Sequence, residues 1–230
     1  MWRPCKAHLA VMWEKFVLTD QGIIIRCVLE KDIFEMSQLL GDVFSRRDPP
    51  AIATRFSVDK LEKIAAIFGA KSAREGLSSV AVDTRSGDIV GAILAHDFGL
   101  APPSEIENID ISSEPVIALL DELETTFSNM HDIKAGEFLH IFMIAVRDEY
   151  SGKGIAQNLV EACLQQADAA GYGVAFTEAT NQISQRIFQK RGFQETHLID
   201  YSTFEFDGRR PFLGIRDQRG CALMELELSA

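Results

Sequence analysis

Residues 139–193 read LHIFMIAVRDEYSGKGIAQNLVEACLQQADAAGYGVAFTEATNQISQRIFQKRGF, and the order of patterns in them decides the architecture. Phe138 to Val146 is an almost unbroken apolar run, the signature of a strand buried on both faces. A charged turn, Arg147 to Ser151, follows it. Gly152 to Ala170 then carries Ile155, Leu159, Cys163 and Ala167 on one face, at helical spacing. Val174 to Ala179 reads as the next strand, and Ile183 to Arg191 as a short helix stopped by Gly192. Where the first helix opens, backbone N–H groups lack intrahelical partners and converge on one point. The helix dipole adds roughly half a positive charge there. Gly152 and Gly154 keep side chains out of that point, so the turn is expected to cradle phosphate.

Working outward, Ile23 to Leu29 is β-branched and apolar, a strand. Lys31 to Phe44 and Val58 to Ser72 carry apolar residues at helical spacing. Between them Pro49 disfavours helical geometry at Asp48, so Arg46 to Pro50 is expected to break the helix. Leu77 to Val82 and Ile89 to Leu94 flank a polar turn and predict an antiparallel hairpin. Residues 95–112, with Pro102-Pro103, form the longest loop, a length suited to a lid over a pocket as well as to a plain insertion. Pro115 to Phe127 is helical and acidic; Leu198 to Phe206 and Ala222 to Leu228 close the chain as strands. With no internal linker, the expectation is an irregular extension over residues 1–20 and a single domain over 21–230.

A net charge of −11 sets the chain against nucleic acid and anionic membranes as partners, because like charges repel. It suits a cationic substrate, and equally a plain solubility role. Cys5, Cys27, Cys163 and Cys221 lie far apart without a CxxC pair, and the five histidines show no HExxH spacing. No metal is therefore expected, and a reducing compartment is the default. The apolar run from His8 to Trp13 is too short for a signal peptide, and no run reaches the ~20 residues of a membrane span. A cytoplasmic location is the expectation.

The phosphate cradle has to be one of three kinds. A P-loop needs GxxxxGK[ST], and no such string occurs. A dinucleotide site needs GxGxxG directly after the strand, with an acid such as Glu178 ending the next strand. Here Gln157 stands in place of the third glycine, and Arg147 to Ser151 separates strand from glycines. The third kind fits. Ser151-Gly152-Lys153-Gly154-Ile155-Ala156 resembles the [Gln/Arg]-x-x-Gly-x-[Gly/Ala] motif of the GCN5-related N-acetyltransferase (GNAT) superfamily, with serine in place of the usual glutamine or arginine. Asn181, Phe188, Lys190 and Gly192-Phe193 match the superfamily's second motif.

That resemblance implies an α/β (or α+β) GNAT fold: a twisted mixed sheet, a splayed central strand pair and helices on both faces. It implies acetyl-CoA as cosubstrate. The backbone of Ile144, Ala145 and Val146 would pair with its pantetheine arm, Ser151 to Ala156 would hold its phosphates, and Asn181, Ser184 and Phe188 would line its path. The implied reaction is direct acetyl transfer to a primary amine. Phe44 to Pro50 resembles the Glu-Pro-Leu segment of insect-type arylalkylamine and dopamine N-acetyltransferases, which makes Asp48 the candidate general base; a turn-forming aspartate before proline is the alternative. Thr180 and Ser184 stand where that subfamily carries two serines, and would share one helix face and order a proton relay or contact the cofactor thiol; a helix cap for Thr180 and a backbone hydrogen bond for Ser184 are the alternatives. Phe188 replaces a tyrosine that protonates the leaving thiolate in many relatives, which leaves Tyr150 and Tyr201 as phenols of interest. His140 reads as a satisfied core histidine, and Glu178 as a residue of the acceptor pocket or of the framework. The implied acceptor is a small arylalkyl- or alkylamine, handled by a monomer or homodimer. A protein or peptide N-acetyltransferase and a noncatalytic acyl-CoA-binding module are the alternatives.

Overall fold

A computed structural model describes residues 17–18 and 22–228. Eight strands, β1 (Val17–Leu18), β2 (Ile23–Cys27), β3 (Ser79–Asp83), β4 (Ile89–Asp97), β5 (Phe138–Val146), β6 (Val174–Ala179), β7 (Gln194–Asp200) and β8 (Gly220–Glu227), make one sheet in the order β1-β2-β3-β4-β5-β6-β8-β7. All neighbours are antiparallel except β5 and β6. The extension expected over residues 1–20 lies outside the described residues apart from Val17–Leu18, which pairs with β2 as an edge strand.

The β5–β6 pair positions the site. Its register holds only for Phe138, Leu139 and His140 against Val174, Ala175 and Phe176. Beyond His140, β5 stays on β4 as far as Val146, while β6 stays on β8 as far as Ala179. The two strands therefore diverge, and a V opens in the middle of the sheet. An edge of β5 is left with backbone groups that no strand takes up.

The apolar stripes read from sequence cover the two faces. Helices α1 (Ile33–Arg47), α2 (Pro49–Thr54), α3 (Val58–Glu75) and α4 (Pro115–Met130) lie on one face, and α5 (Ile155–Ala170) and α6 (Gln182–Gln189) on the other. Met36, Leu40 and Ala65 of α1 and α3 are buried on Ala92 and Leu94 of β4. Leu159, Cys163 and Ala167 of α5 are buried on the opposite side.

Three local expectations are corrected. Pro49-Pro50 does not merely break α1; it starts α2, with Asp48 as N-cap accepting from the Ala51 N–H. Proline suits a first helical turn because the N–H it lacks would be unpaired there anyway. Helix α5 starts at Ile155 rather than Gly152, because Gly152 and Gly154 hold φ of 75° and 76°. The seventh strand is Gln194–Asp200 and not Leu198 to Phe206: the Asp200 carbonyl accepts from Thr203 and Phe204, turning the chain away. The first part of β7 is exposed and polar, so its alternation carries little apolar signal.

Candidate active site

The V between β5 and β6 opens into a cleft of ≈ 1970 Å³, which runs from the glycine turn before α5 to the face of α4. Every catalytic or cofactor-binding residue expected from sequence lines it except Lys153, whose ammonium lies 4.6 Å from the centre of the Tyr150 ring.

At one mouth the turn Ser151 to Gly154 is exposed. A Cβ built on Gly152 or Gly154 meets nothing within 4 Å, so both glycines leave open space in front of the first N–H groups of α5. A phosphate chain fits there; an L side chain at either position would be strained and would fill the approach. The family motif's missing cation at Ser151 has a spatial counterpart. Arg47, at the end of α1, donates from Nη1 to Asp148 Oδ1 at 2.8 Å and to Ser151 Oγ at 3.4 Å. Arg46 donates to the other oxygen of Asp148 at 2.8 Å.

Deeper in, Asp48 is 6% exposed. Its Oδ2 accepts from the Ala51 N–H at 3.0 Å, and its Oδ1 from the Thr180 hydroxyl. Burial pushes its carboxyl up to about 6, against the two hydrogen bonds that favour the ion. Thr180 is itself fixed, since the Tyr201 hydroxyl donates to its carbonyl at 2.5 Å. Asp48 thus has the features of a base tuned toward neutrality.

Thr180 and Ser184 do not share a helix face, because α6 begins at Gln182 and its N-cap is Asn181. Asn181 Oδ1 accepts from the N–H groups of Ile183 and Ser184, at 3.0 and 2.9 Å. The Ser184 hydroxyl donates to the Asn181 carbonyl at 2.8 Å, the backbone-bonding alternative of the sequence reading. Phe188 is buried against Phe193 with ring centres 5.1 Å apart. Neither phenol of interest is free: Tyr150 donates to Asp83 Oδ2 at 2.8 Å and Tyr201 to Thr180.

The narrow end of the V brings His140 and Glu178, each named singly from the sequence, together with Glu124, which sequence reasoning missed. His140, the last residue of β5 that pairs with β6, meets Glu178 through Nε2 at 2.7 Å, and both side chains are 3% exposed. Glu124 joins them from α4, with one donor atom from each residue within 4.8 Å of the others. Burial alone would lower His140, but the attraction and hydrogen bond of Glu178 and the charge of Glu124 outweigh it and raise its pKa. Burial pushes Glu124 up to about 7; the His140 charge opposes this, while Glu178 and Asp121 add to it. The neighbouring His96 is held well below its ordinary value by burial, by His140 and by Lys71. His140 is only half satisfied: among the described residues its Nδ1 has no hydrogen-bond partner, nor has Glu178 Oε1. No linear spacing joins α4, β5 and β6, so no motif could have flagged the three.

A mixed sheet with a splayed central pair, a glycine turn opening a helix at the mouth and a buried carboxylate inside define an acyl-transferring architecture. The chain belongs to the acetyltransferase (GNAT) family, whose model matches residues 54–193, and is a GNAT-type N-acetyltransferase. Its fold is similar to that of the C-terminal condensation domain of Ebony, solved with beta-alanyl-dopamine, at 18% identity and TM-score 0.76 over 89% of this chain and 98% of that one. Arylalkylamine N-acetyltransferase 2 from Aedes aegypti is similar at 22% identity and TM-score 0.75, over 90% of this chain and 99% of that one. The polyamine N-acetyltransferase of Drosophila melanogaster, which forms N-acetylagmatine, is similar at 18% identity and TM-score 0.67, over 90% and 100%. Among the described residues no helix is long and apolar enough to cross a membrane.

Proposed function

We propose that this protein, as a single domain over residues 21–230, transfers an acetyl group from acetyl-CoA directly to the primary amine of a small arylalkyl- or alkylamine. The observation that carries the reading is Asp48: a buried carboxylate with a raised pKa, held by Thr180 inside the cleft that the splayed strands open.

The residues present fit the cosubstrate. Gly152 and Gly154 leave the α5 N-terminus open to its phosphates, Arg47 brings a cation to the position where Ser151 brings none, and the free edge of β5 offers the backbone of Ile144, Ala145 and Val146 to its amides. When bound, acetyl-CoA supplies an activated acyl group. A backbone N–H near Ala145 or Val146 would stabilise charge on the acyl oxygen. An ammonium has no lone pair, so the acceptor must lose a proton before it attacks. Each Asp48 oxygen carries one hydrogen bond and keeps a lone pair for that proton. Thr180 holds the carboxylate in place, and Tyr201 holds Thr180. Asn181 and Ser184 fix the start of α6, and Phe188 gives the path an apolar wall.

The test is to incubate purified protein with acetyl-CoA and two panels, one of aryl- and alkylamines and one of peptides, and to follow release of the thiol. Amine turnover supports the reading. Turnover of peptides alone would reassign the acceptor. Tight acetyl-CoA binding with no turnover on either panel would make the chain a binding module.

A further inference from the structure

Transfer to a single amine needs one base, yet the narrow end of the cleft holds a second acidic cluster. Asp121 and Glu124 stand one turn apart on the face of α4 that lines the cleft, and Glu178 lines it from β6. Among the described residues neither the Asp121 nor the Glu124 side chain forms a hydrogen bond or an ion pair, and the Oε1 of Glu178, whose side chain is 3% exposed, has no partner either.

The positive charge nearby does not balance these acids. His140 is taken up by Glu178 at 2.7 Å. On α3, Lys71 donates to the Asp97 carbonyl at 2.9 Å, pairs with Glu75 at 3.4 Å and meets His96 Nδ1 at 3.2 Å, so its ammonium is already taken up. The Glu178 side chain is buried and Glu124 half-buried, with Asp121 exposed one turn away at the rim; holding the two less accessible carboxylates without a counter-charge is costly, and a ligand bringing the opposite charge removes that cost. The aromatic rings around the cluster suit the same ligand: Phe98 and Phe142 line the cleft with centres 5.6 and 6.0 Å from His140, and ring faces attract organic cations.

We propose that Asp121, Glu124 and Glu178 form a second cation subsite, so that the preferred acceptor is dicationic: one amine meets Asp48, and a further ammonium or guanidinium docks at the acid cluster. The proposal rests on the reading of Asp48 as the place where the reacting amine binds. Glu178 of β6 and Thr180, the first residue past its end, are two residues apart, roughly 7 Å along an extended chain, and Thr180 holds Asp48. That separation is the reach of a short aliphatic linker. A metal ion is the poorer occupant, because ligands bound at about 2.1 Å around a tetrahedral ion stand well over 3 Å apart. The 2.7 Å contact of His140 with Glu178 is instead that of a hydrogen bond.

The experiment compares kcat/KM for putrescine, for its guanidino counterpart agmatine and for the matched monoamine butylamine, in wild type and in D121N/E124Q, with acetyl-CoA saturating. A charge-assisted contact corresponds to about tenfold or more in specificity, so one or both dications should exceed butylamine by at least that factor. The two dications separate ammonium from guanidinium recognition. In D121N/E124Q the ratio should fall toward one. Equal or better turnover of butylamine in wild type overturns the proposal, as does a ratio that survives the double variant. Calorimetry separates this from failure of the acetyl-transfer reading. If no amine is acetylated, putrescine titrated into the CoA complex must still bind in wild type and not in the variant, and absence of binding overturns the subsite. Zinc binding lost in the variant, with no dication binding, overturns it in favour of a metal centre.

Discussion

The Thr180 hydroxyl donates to Oδ1 of Asp48, a carboxylate 132 positions earlier in the chain. The contact joins the end of β6, where the V is already open, to the N-cap of α2 on the opposite wall of the cleft. It places a buried acid at the centre of the opening and, with the Ala51 N–H, stabilises that acid's ionised form. Burial works the other way and prevails, which leaves the carboxyl at about 6.

Asp48→Asn keeps the volume and the helix cap but cannot accept a proton from the amine. Its kcat near neutral pH should fall about 10²-fold or more, the usual contribution of a general base. Acetyl-CoA affinity, measured by calorimetry, should stay within about threefold, since the cofactor contacts lie elsewhere in the cleft. In wild type the rate should rise with pH through a limb near 6, the pKa of the group that must be ionised. The variant should lose that limb. Wild-type-like turnover in D48N would remove Asp48 as the base.

Thr180→Val deletes a hydrogen bond that favours the Asp48 anion while keeping the side chain's shape. The carboxyl should then move further up, by about one pH unit for a charge-assisted bond, and the rising limb of the pH profile should move with it. Turnover well above the new limb should largely recover. An unmoved limb, with a uniform loss at every pH, would show that Thr180 acts only on packing.

Much of this site is legible in the sequence because its parts are local. Phe138 to Val146, the Gly152/Gly154 pair and the helix beginning after Asn181 are patterns of neighbouring residues, and local physics alone reads them. Other parts depend on pairs brought together from far apart. Arg47 lies 104 residues from Ser151, so the serine reads as a departure from the motif until the fold brings the guanidinium beside it. Glu124, His140 and Glu178 come from three elements with no shared spacing. Pro49-Pro50 reads as a break alone because proline signals the end of one helix as well as the start of the next.

The cradle can be tested apart from the chemistry. Arg47→Gln removes a charge from beside Ser151 and should weaken acetyl-CoA binding by about three- to tenfold. The salt dependence of binding should become shallower, because one fewer cation meets the phosphates. Gly154→Ala puts a Cβ on a residue at φ 76°, where L side chains are strained by roughly 1–2 kcal/mol, and into the open approach. It should weaken binding by about tenfold or more while leaving Asp48 in place. Unchanged affinity in both variants would move the phosphate site elsewhere.

The same raised pKa makes Asp48 a source of instability. An ordinary aspartate titrates at 3.8, and this one at about 6, so the folded state holds a proton that the unfolded chain releases between those values. Stability from that proton is fully present below 3.8 and is lost as pH rises through 6. The amide that D48N carries in place of the carboxyl does not titrate and escapes the loss. The stability of D48N relative to wild type should therefore climb between pH 4 and 6 and level off above, by up to about 3 kcal/mol at 1.36 kcal/mol per unit. Urea denaturation across that range reads the difference. A gap that does not change with pH would show that Asp48 has an ordinary pKa. A variant less active yet more stable above pH 6 is what a base kept buried for function should give, since the protein then bears a desolvation cost that only its chemistry uses.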